Sequence, residues 1–305
     1  MGLPRAGGAL PRQHLRGVAT NDEPIRAVLD VLDLRAGAEP DTFTGENLQV
    51  PTRRVFGGQV LAQALLAAGR TVDPGRLPHS LHGYFLRAGD VATPIEFGVE
   101  RLRDGRSFSA RRTHARQGNG PLLSMIASFQ EEQPGLEFAE RPPHGVPEPE
   151  DVPSAAENLA AVDHPVARFW IESAFDLRHV GGAVYVKPDD ERTGRQLVWM
   201  RTRGAVKDDQ LLHRALLVYA CDQVMLEPIL RHAGLSWSSR GLSIASLDHA
   251  MWWHRDVHVD DWLLFVQNSP SGHGGRGLGA ARVFDRDGRL VASIAQEGMV
   301  RVPLG

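Results

Sequence analysis

Lysine is nearly absent from this chain. Only Lys187 and Lys207 occur among 34 basic residues, so arginine carries almost all the positive charge. Schiff-base and lysine-nucleophile chemistry is thereby disfavoured. Cysteine is rarer still. The single Cys221 excludes an internal disulfide and a cysteine-rich metal site, and it suits a reducing, cytoplasmic compartment. No run of about 20 apolar residues is present, so no membrane-spanning helix is expected. The net charge of -3 offers no basic field for nucleic acid. Residues 1–20 contain no acidic residue and no apolar stretch of the kind a secretory signal needs. Their Arg-rich, acid-poor content fits a transit peptide or a disordered tail, and the prolines, which interrupt any amphipathic helix, favour the tail.

What is there is ordinary for a globular protein: 42% apolar and 23% charged residues. A length of 305 residues suggests two domains of about 150 residues each. Asn21-Asp22-Glu23-Pro24 is a helix start, with Ile25, Val28, Leu29 and Leu32 at one-face spacing behind it. Residues 41–47 read as a first strand with its exit turn. Residues 55–69, opened by Gly57-Gly58, are apolar or small on nearly every side, so this helix is expected to be buried all round. Strand candidates follow at 80–87, 95–102, 108–117 and 122–130, with Asp104-Gly105 and Asn119-Gly120 marking hairpins.

Residues 131–165 are dense in Pro, Glu and Ala and read as a surface linker. Strands are then expected at 175–180 and 196–203. Asp208-Asp209 caps a helix from about Gln210 to His232, ended by Gly234, and Pro228 should kink it or end its regular part early. Extended segments at 246–255, 262–268, 279–284 and 290–300 close the chain.

The second half repeats the first. At an offset of 166, Ser80-Leu81 falls on Ser246-Leu247, Asp90 on Asp256, and residues 125–131 on 291–297, with no gap. The helices align at an offset of 151, which puts residues 64–66 on 215–217 and Thr71 on Asp222. On this alignment Ser246 has a copy in Ser80 and Gln296 a copy in Gln130, and only the second half has a carboxylate beside them. Repeats take precedence over isolated motifs. A buried helix followed by an antiparallel meander, written twice, is the pattern of the hotdog fold.

At this point a family resemblance emerges. The chain resembles the acyl-CoA thioesterase II family through Arg54-Val55-Phe56-Gly57-Gly58-Gln59-Val60, His79-Ser80-Leu81-His82-Gly83-Tyr84-Phe85-Leu86-Arg87, residues 99–108, residues 127–130, Tyr219-Ala220-Cys221-Asp222, residues 246–252 and Ala295-Gln296-Glu297-Gly298. The resemblance implies an α+β double hotdog: two tandem repeats, each a central helix wrapped by an antiparallel sheet. The division expected is an N-terminal hotdog at 21–132, a linker at 133–170 and a C-terminal hotdog at 171–305. The activity implied is hydrolysis of fatty acyl-CoA to free fatty acid and CoA, with an apolar acyl tunnel between helix and sheet. No cofactor and no metal are called for. A homodimer or larger assembly is in keeping with hotdog sheets.

The family's acting residues, carried over block by block, are Asp222, Ser246 and Gln296. A carboxylate can take a proton from water as general base, while a hydroxyl and an amide hold that water in line. No Gly-x-Ser-x-Gly elbow surrounds Ser246, so a serine nucleophile is disfavoured. Asp222 alone could equally be a solvent-facing carboxylate of its helix.

Gly57 and Gly58 have two readings: backbone N–H groups for a thioester oxygen, or close packing of the helix. Asp248 is an alternative acid and its copy His82 a second candidate, with structural hydrogen bonding the plainer role for both. Arg101, Arg103, Arg106, Arg111 and Arg112 could meet CoA phosphates or line a solvated strand face; Arg106 is carried forward as the substrate-binding candidate. His249, His254 and His258 lack the partners of a metal site, and Met251 to Trp253 read as core. A hotdog hydratase or dehydratase would need an Asp/His pair, for which Asp248-His249 is a poor fit. A non-catalytic acyl-CoA binding protein would have no use for a base beside the carbonyl.

Overall fold

The computed structural model describes residues 23–50, 53–118 and 120–302. The expected tail at 1–20, the Asn21-Asp22 cap and the turn residue Asn119 lie outside them.

Helix α1 (Glu23–Leu32) and two short strands, β1 (Arg35–Ala36) and β2 (Thr42–Gly45), lead into α2 (Gly57–Gly69). The first meander is β3 (Arg76–Phe85), β4 (Ile95–Asp104), β5 (Phe108–Gln117) and β6 (Gly120–Glu131). After the connecting segment come β7 (Phe175–Val180), β8 (Arg195–Thr202), α5 (Gln210–Cys221) and α6 (Glu227–Ala233). The chain finishes with β9 (Ser243–Ser246), β10 (Asp248–Trp253), β11 (Leu263–His273), β12 (Arg276–Asp285) and β13 (Leu290–Arg301). All pairings are antiparallel, in the order β1-β2-β4-β5-β6-β3-β10-β13-β12-β11-β8-β7, with β9 on β13. The architecture is the α+β double hotdog: one continuous sheet wraps both central helices.

The halves meet twice. In the sheet, β3 pairs with β10, with Gly83 opposite His249. In the core, α2 packs antiparallel on α5. A side chain at Gly58 would come within 2.7 Å of the Tyr219 carbonyl, and one at Gly69 within 2.5 Å of Leu211. Glycine at each end thus lets the helices approach, and the N-terminus of α2 abuts the C-terminus of α5. Residues 58–68 of α2 are all buried, as its all-round apolar composition requires.

Three expectations need correction. The stretch 133–170 is more than a surface loop. It forms α3 (Ala155–Leu159), with a Ser154/Glu157 capping box, and α4 (Pro165–Ile171). Leu159, Ala167 and Trp170 join the main core. These helices are too short for periodicity to reveal.

The long helix expected over 210–232 is two helices. Its regular part ends at Cys221, so Asp222 is the C-cap residue and not a residue of a helix interior. Pro228 sits in the first turn of α6, where its missing N–H costs nothing. The break is built into the sheet beneath it. A Cβ at Gly279 would lie 2.1 Å from the Met225 carbonyl, and one at Gly298 would strike Leu226. Gln267 donates to the Val224 carbonyl that the break exposes, and the buried Glu227 holds α6 through His179, Gln196 and Trp237.

The constant offset of 166 also fails, and strand parity shows why. Successive residues of a strand face opposite ways. On β6 the odd residues 123, 125, 127 and 129 are buried and Ile126 is exposed, so Gln130 is on the outer face. On β13 the even residues 292, 294, 296 and 298 are buried. An even offset maps the outer Gln130 onto the inner Gln296, so the two are not structural copies; a slip of one residue flips every side chain. Ser80 likewise shares the outer face with His82 and Tyr84. Each half carries a one-residue irregularity, at His79 in β3 and at Leu247 between β9 and β10. Aligning them sets Ser246 on Pro78. Trp252 is a further exception to the expected core: it faces outward, 45% exposed, while Met251 and Trp253 are buried.

Candidate functional site

The helix pair, the break after α5 and the inner faces of β9, β10 and β13 converge on one carboxylate. Asp222 Oδ1 accepts from Gln296 Nε2 at 2.7 Å and from Ser246 Oγ at 3.1 Å. Oδ2 accepts the backbone N–H of Gly58 at 2.7 Å. Gln296 Nε2 also donates to Ser246 Oγ at 2.8 Å. The structure therefore brings Asp222, Ser246 and Gln296 into one hydrogen-bonded triangle, set on the first turn of α2.

Local sequence explains each position. Asp222 leaves α5 at its C-cap, so its side chain projects past the helix end toward α2. The N-cap residue of α2, Phe56, supplies no capping side chain. Asp222 satisfies a first-turn N–H instead, and the positive end of the helix dipole favours the anion there. A carboxylate has about four lone-pair positions. Three are occupied, and the fourth is on Oδ2. A Cβ at Gly57 would come within 2.9 Å of Oδ2 and 3.1 Å of the Phe85 ring. Glycine at 57 therefore keeps that side of the carboxylate open. Gly58 N–H is committed to Asp222, whereas Gly57 N–H, at the first helical position, has no intrahelical acceptor. Phe56, packed on Tyr219 at 5.1 Å and on Phe169 at 6.5 Å, forms an aromatic wall alongside.

One neighbour escaped the sequence reading. His249 is fully buried on the inner face, and its Nδ1 lies 2.6 Å from Gln296 Oε1. The carboxylate of Asp222 can only accept, so the amide turns its NH₂ toward Asp222 and its oxygen toward His249. His249 must then donate from Nδ1. Burial pushes its pKa below the ordinary histidine value, consistent with a neutral ring protonated at Nδ1. Its Nε2 faces the Cys221 thiol at 3.4 Å. Burial raises the pKa of that thiol well above its ordinary value, so it stays protonated and can donate to Nε2 or to the Val218 carbonyl at 3.3 Å. The sequence signal was present: a histidine at an inward strand position beside a polar residue of the next strand. Finding it required the pairing of β10 with β13.

The remaining candidates lie elsewhere. His82 and Asp248 bond to each other at 2.9 Å on the outer face of the sheet, across the strands from His249 and Gln296. Arg106 is in the turn between β4 and β5, where its carbonyl accepts from Arg76. That turn adjoins Phe108, which pairs with Gln130 and through it with Leu77. Leu77 is eight residues along β3 from Phe85, about 26 Å at strand rise, so Arg106 is not brought to the triangle. Three of the other arginines have partners: Arg101 with Asp41, Arg112 with Glu100, and the buried Arg111 with Asp104 and Thr71.

The pseudo-symmetric end of the helix pair offers no second site. There the N-terminus of α5 is capped by its own Asp209, which accepts from Leu211 and Leu212. Thr71, which the offset of 151 sets on Asp222, follows the C-cap Arg70 of α2, and Arg111 closes over it, donating to its hydroxyl and carbonyl. Among the described residues, Asp208, His213 and His258 are close enough to share a metal ion. Against that use, His213 Nδ1 already accepts the Val259 N–H, a bond that an ion at either ring nitrogen would disturb.

Comparison with known proteins places this geometry in context. Residues 48–130 match the family model of the acyl-CoA thioesterase N-terminal domain, and residues 143–300 that of the acyl-CoA thioesterase C-terminal domain. Acyl-coenzyme A thioesterase 8 of Homo sapiens is 33% identical over 309 residues, covering 94% of this chain and 92% of that protein. Acyl-CoA thioesterase 2 of Haemophilus influenzae is 34% identical, covering 85% of this chain and 92% of that protein. The crystal structure of an acyl-CoA thioesterase II from Mycobacterium marinum superposes with a TM-score of 0.75 at 38% identity, covering 91% of this chain and 99% of that one.

Proposed function

The chain belongs to the acyl-CoA thioesterase family and is a thioester hydrolase, and from that premise we propose that it hydrolyses fatty acyl-CoA with a water molecule activated by Asp222. The observation that carries this reading is the Asp222–Ser246–Gln296 triangle on the first turn of α2.

Water donates to the open position on Asp222 Oδ2 and lies beside Gly57. Asp222 takes its proton as the water oxygen attacks the thioester carbon. The carbonyl oxygen, gaining charge, is met by the Gly57 N–H at the positive end of α2. Collapse of the tetrahedral intermediate breaks the C–S bond, and the proton held by Asp222 passes to the CoA sulfur. Ser246 and Gln296 hold the carboxylate in one rotamer, and His249 holds the Gln296 amide. The N-terminal half, 21–132, contributes the turn that carries Gly57 and Gly58; the C-terminal half, 171–305, contributes the triangle.

No helix among the described residues is long and apolar enough to cross a membrane.

The test is intact-protein mass spectrometry during turnover of palmitoyl-CoA. Water attack leaves no acylated protein at any time point. A stable palmitoyl adduct on Ser246 would replace this mechanism with a serine nucleophile.

A further inference from the structure

Ser246 and His249 both reach Gln296 on the inner face. They are three residues apart, and in a regular strand residues three apart face opposite ways. The register explains how both can be true. Ser246 pairs with Gly298 and Ala250 with Ala295. Four steps on one strand therefore match three on the other, and Leu247 is the extra residue of a β-bulge.

A bulge leaves ladder groups to be satisfied otherwise. Leu247 N–H donates to the Glu297 carbonyl at 2.8 Å, while the Leu247 carbonyl turns away to accept from Phe85 N–H at 2.9 Å. The Leu247 carbonyl, engaged by Phe85, is thus turned away from Glu297 N–H, the neighbour of Gln296, and does not return the bond that Leu247 N–H makes. Glu297 N–H donates to Asp248 Oδ1 at 2.8 Å. The other oxygen, Oδ2, is held by His82 Nε2 at 2.9 Å, which fixes the carboxylate toward Glu297.

We propose that Asp248 is a positioning residue: its carboxylate, braced by His82 on the outer face, clamps the bulge that sets Ser246, His249 and Gln296 on one inner face. This inference rests on the reading of those residues as the catalytic set. Asp248 touches none of the reacting atoms. Its effect passes through the backbone of Leu247 and Glu297. If the acceptor oxygen at that distance is lost, Glu297 N–H can be satisfied by a ladder carbonyl only when the bulge relaxes, and relaxation turns Ser246 away.

The variants that separate this from a general need for charge are Asp248→Asn and Asp248→Glu, with Asp248→Ala as the deletion. Asparagine keeps an acceptor oxygen at the same distance and loses the charge. Glutamate keeps the charge and overshoots by one methylene. The expected result is near wild-type kcat for Asn, with kcat lowered roughly 10- to 100-fold for Glu and Ala. KM should be unchanged in all three. Hydrogen exchange at the Glu297 amide should quicken in Glu and Ala only. Full kcat in Asp248→Glu, or equal impairment of Asn and Glu, would overturn the clamp. Ser246→Ala and Asp222→Asn run alongside: if both retain full rate, the catalytic reading fails, while the Glu297 exchange result still judges the clamp by itself.

Discussion

Replacing His249 by phenylalanine probes the site from behind. The ring is similar in size and sits in a fully buried place, so the substitution removes a donor and little volume. The bond removed is His249 Nδ1–H to Gln296 Oε1, 2.6 Å long. Gln296 is itself fully buried, so its carbonyl oxygen finds no water in exchange. An unsatisfied buried acceptor costs about 1–3 kcal/mol. The amide cannot escape by flipping, because that would set its oxygen against Asp222 Oδ1, now 2.7 Å from Nε2. It rotates off instead and loosens its hold on both Asp222 and Ser246. A misplacement on the order of 1 Å at a catalytic group costs up to about 100-fold in rate, so we expect kcat for thiol release from palmitoyl-CoA to fall roughly 10- to 100-fold. KM should not move, since His249 does not touch substrate. The melting temperature should fall by a few degrees, in line with the lost bond. A folded His249→Phe protein with wild-type kcat, or a loss confined to KM, would refute this argument.

Other outcomes follow from the same geometry. Gly57→Ala places a methyl 2.9 Å from Asp222 Oδ2, on the side assigned to water. It should depress kcat by at least about tenfold, and unchanged kcat would argue that water approaches elsewhere. Arg106→Ala, in the turn between β4 and β5, should leave KM for acyl-CoA as it was; a several-fold rise would put CoA phosphates at that turn. Acid should destabilise the protein in a histidine window. The pKa values of His79, His213, His249 and His254 are all lowered, mainly by burial. Below about pH 6.5 the unfolded chain therefore binds more protons than the native one. This contribution is complete above that pH and is lost as pH falls through the lowered native values. Urea midpoints at pH 7.5 and 5.5 should show the loss, and His249→Phe should make it shallower. Equal midpoints would contradict the lowered pKa values of these histidines.

Much of this was legible in the sequence, for reasons that also mark its limit. The strand at 95–102 alternates, with Ile95, Phe97 and Val99 inward, the turns Asp104-Gly105 and Asn119-Gly120 bound the polar strand at 108–117, and α2 is apolar on all sides, so period, turn residues and composition sufficed. Gly234, in the left-handed conformation at φ 66°, ended α6 as its residue type suggests. The break after Cys221 was not legible, because it depends on Gly279 and Gly298 of distant strands. The same holds for the bulge at Leu247. Aligning the halves by residue identity matched Gln130 to Gln296 and Ser80 to Ser246, yet each pair sits on opposite faces of the sheet. Identity survived where geometry did not, since one inserted residue reverses a strand. The triangle itself was anticipated from family resemblance. Its contact with Gly58 crosses the two halves, and those of Gln296 with His249 and of Glu297 with Asp248 come from the meeting of β10 and β13, which no local pattern records.

The most direct measurement of the central claim is the steady-state rate of thiol release from palmitoyl-CoA by Asp222→Asn beside the wild type. The amide is nearly the same shape, and it cannot serve as the general base. Loss of that role predicts a fall in kcat of about 10²- to 10⁴-fold in a protein whose melting temperature shows it to be folded. A folded Asp222→Asn enzyme that turns over palmitoyl-CoA at the wild-type rate would contradict the account.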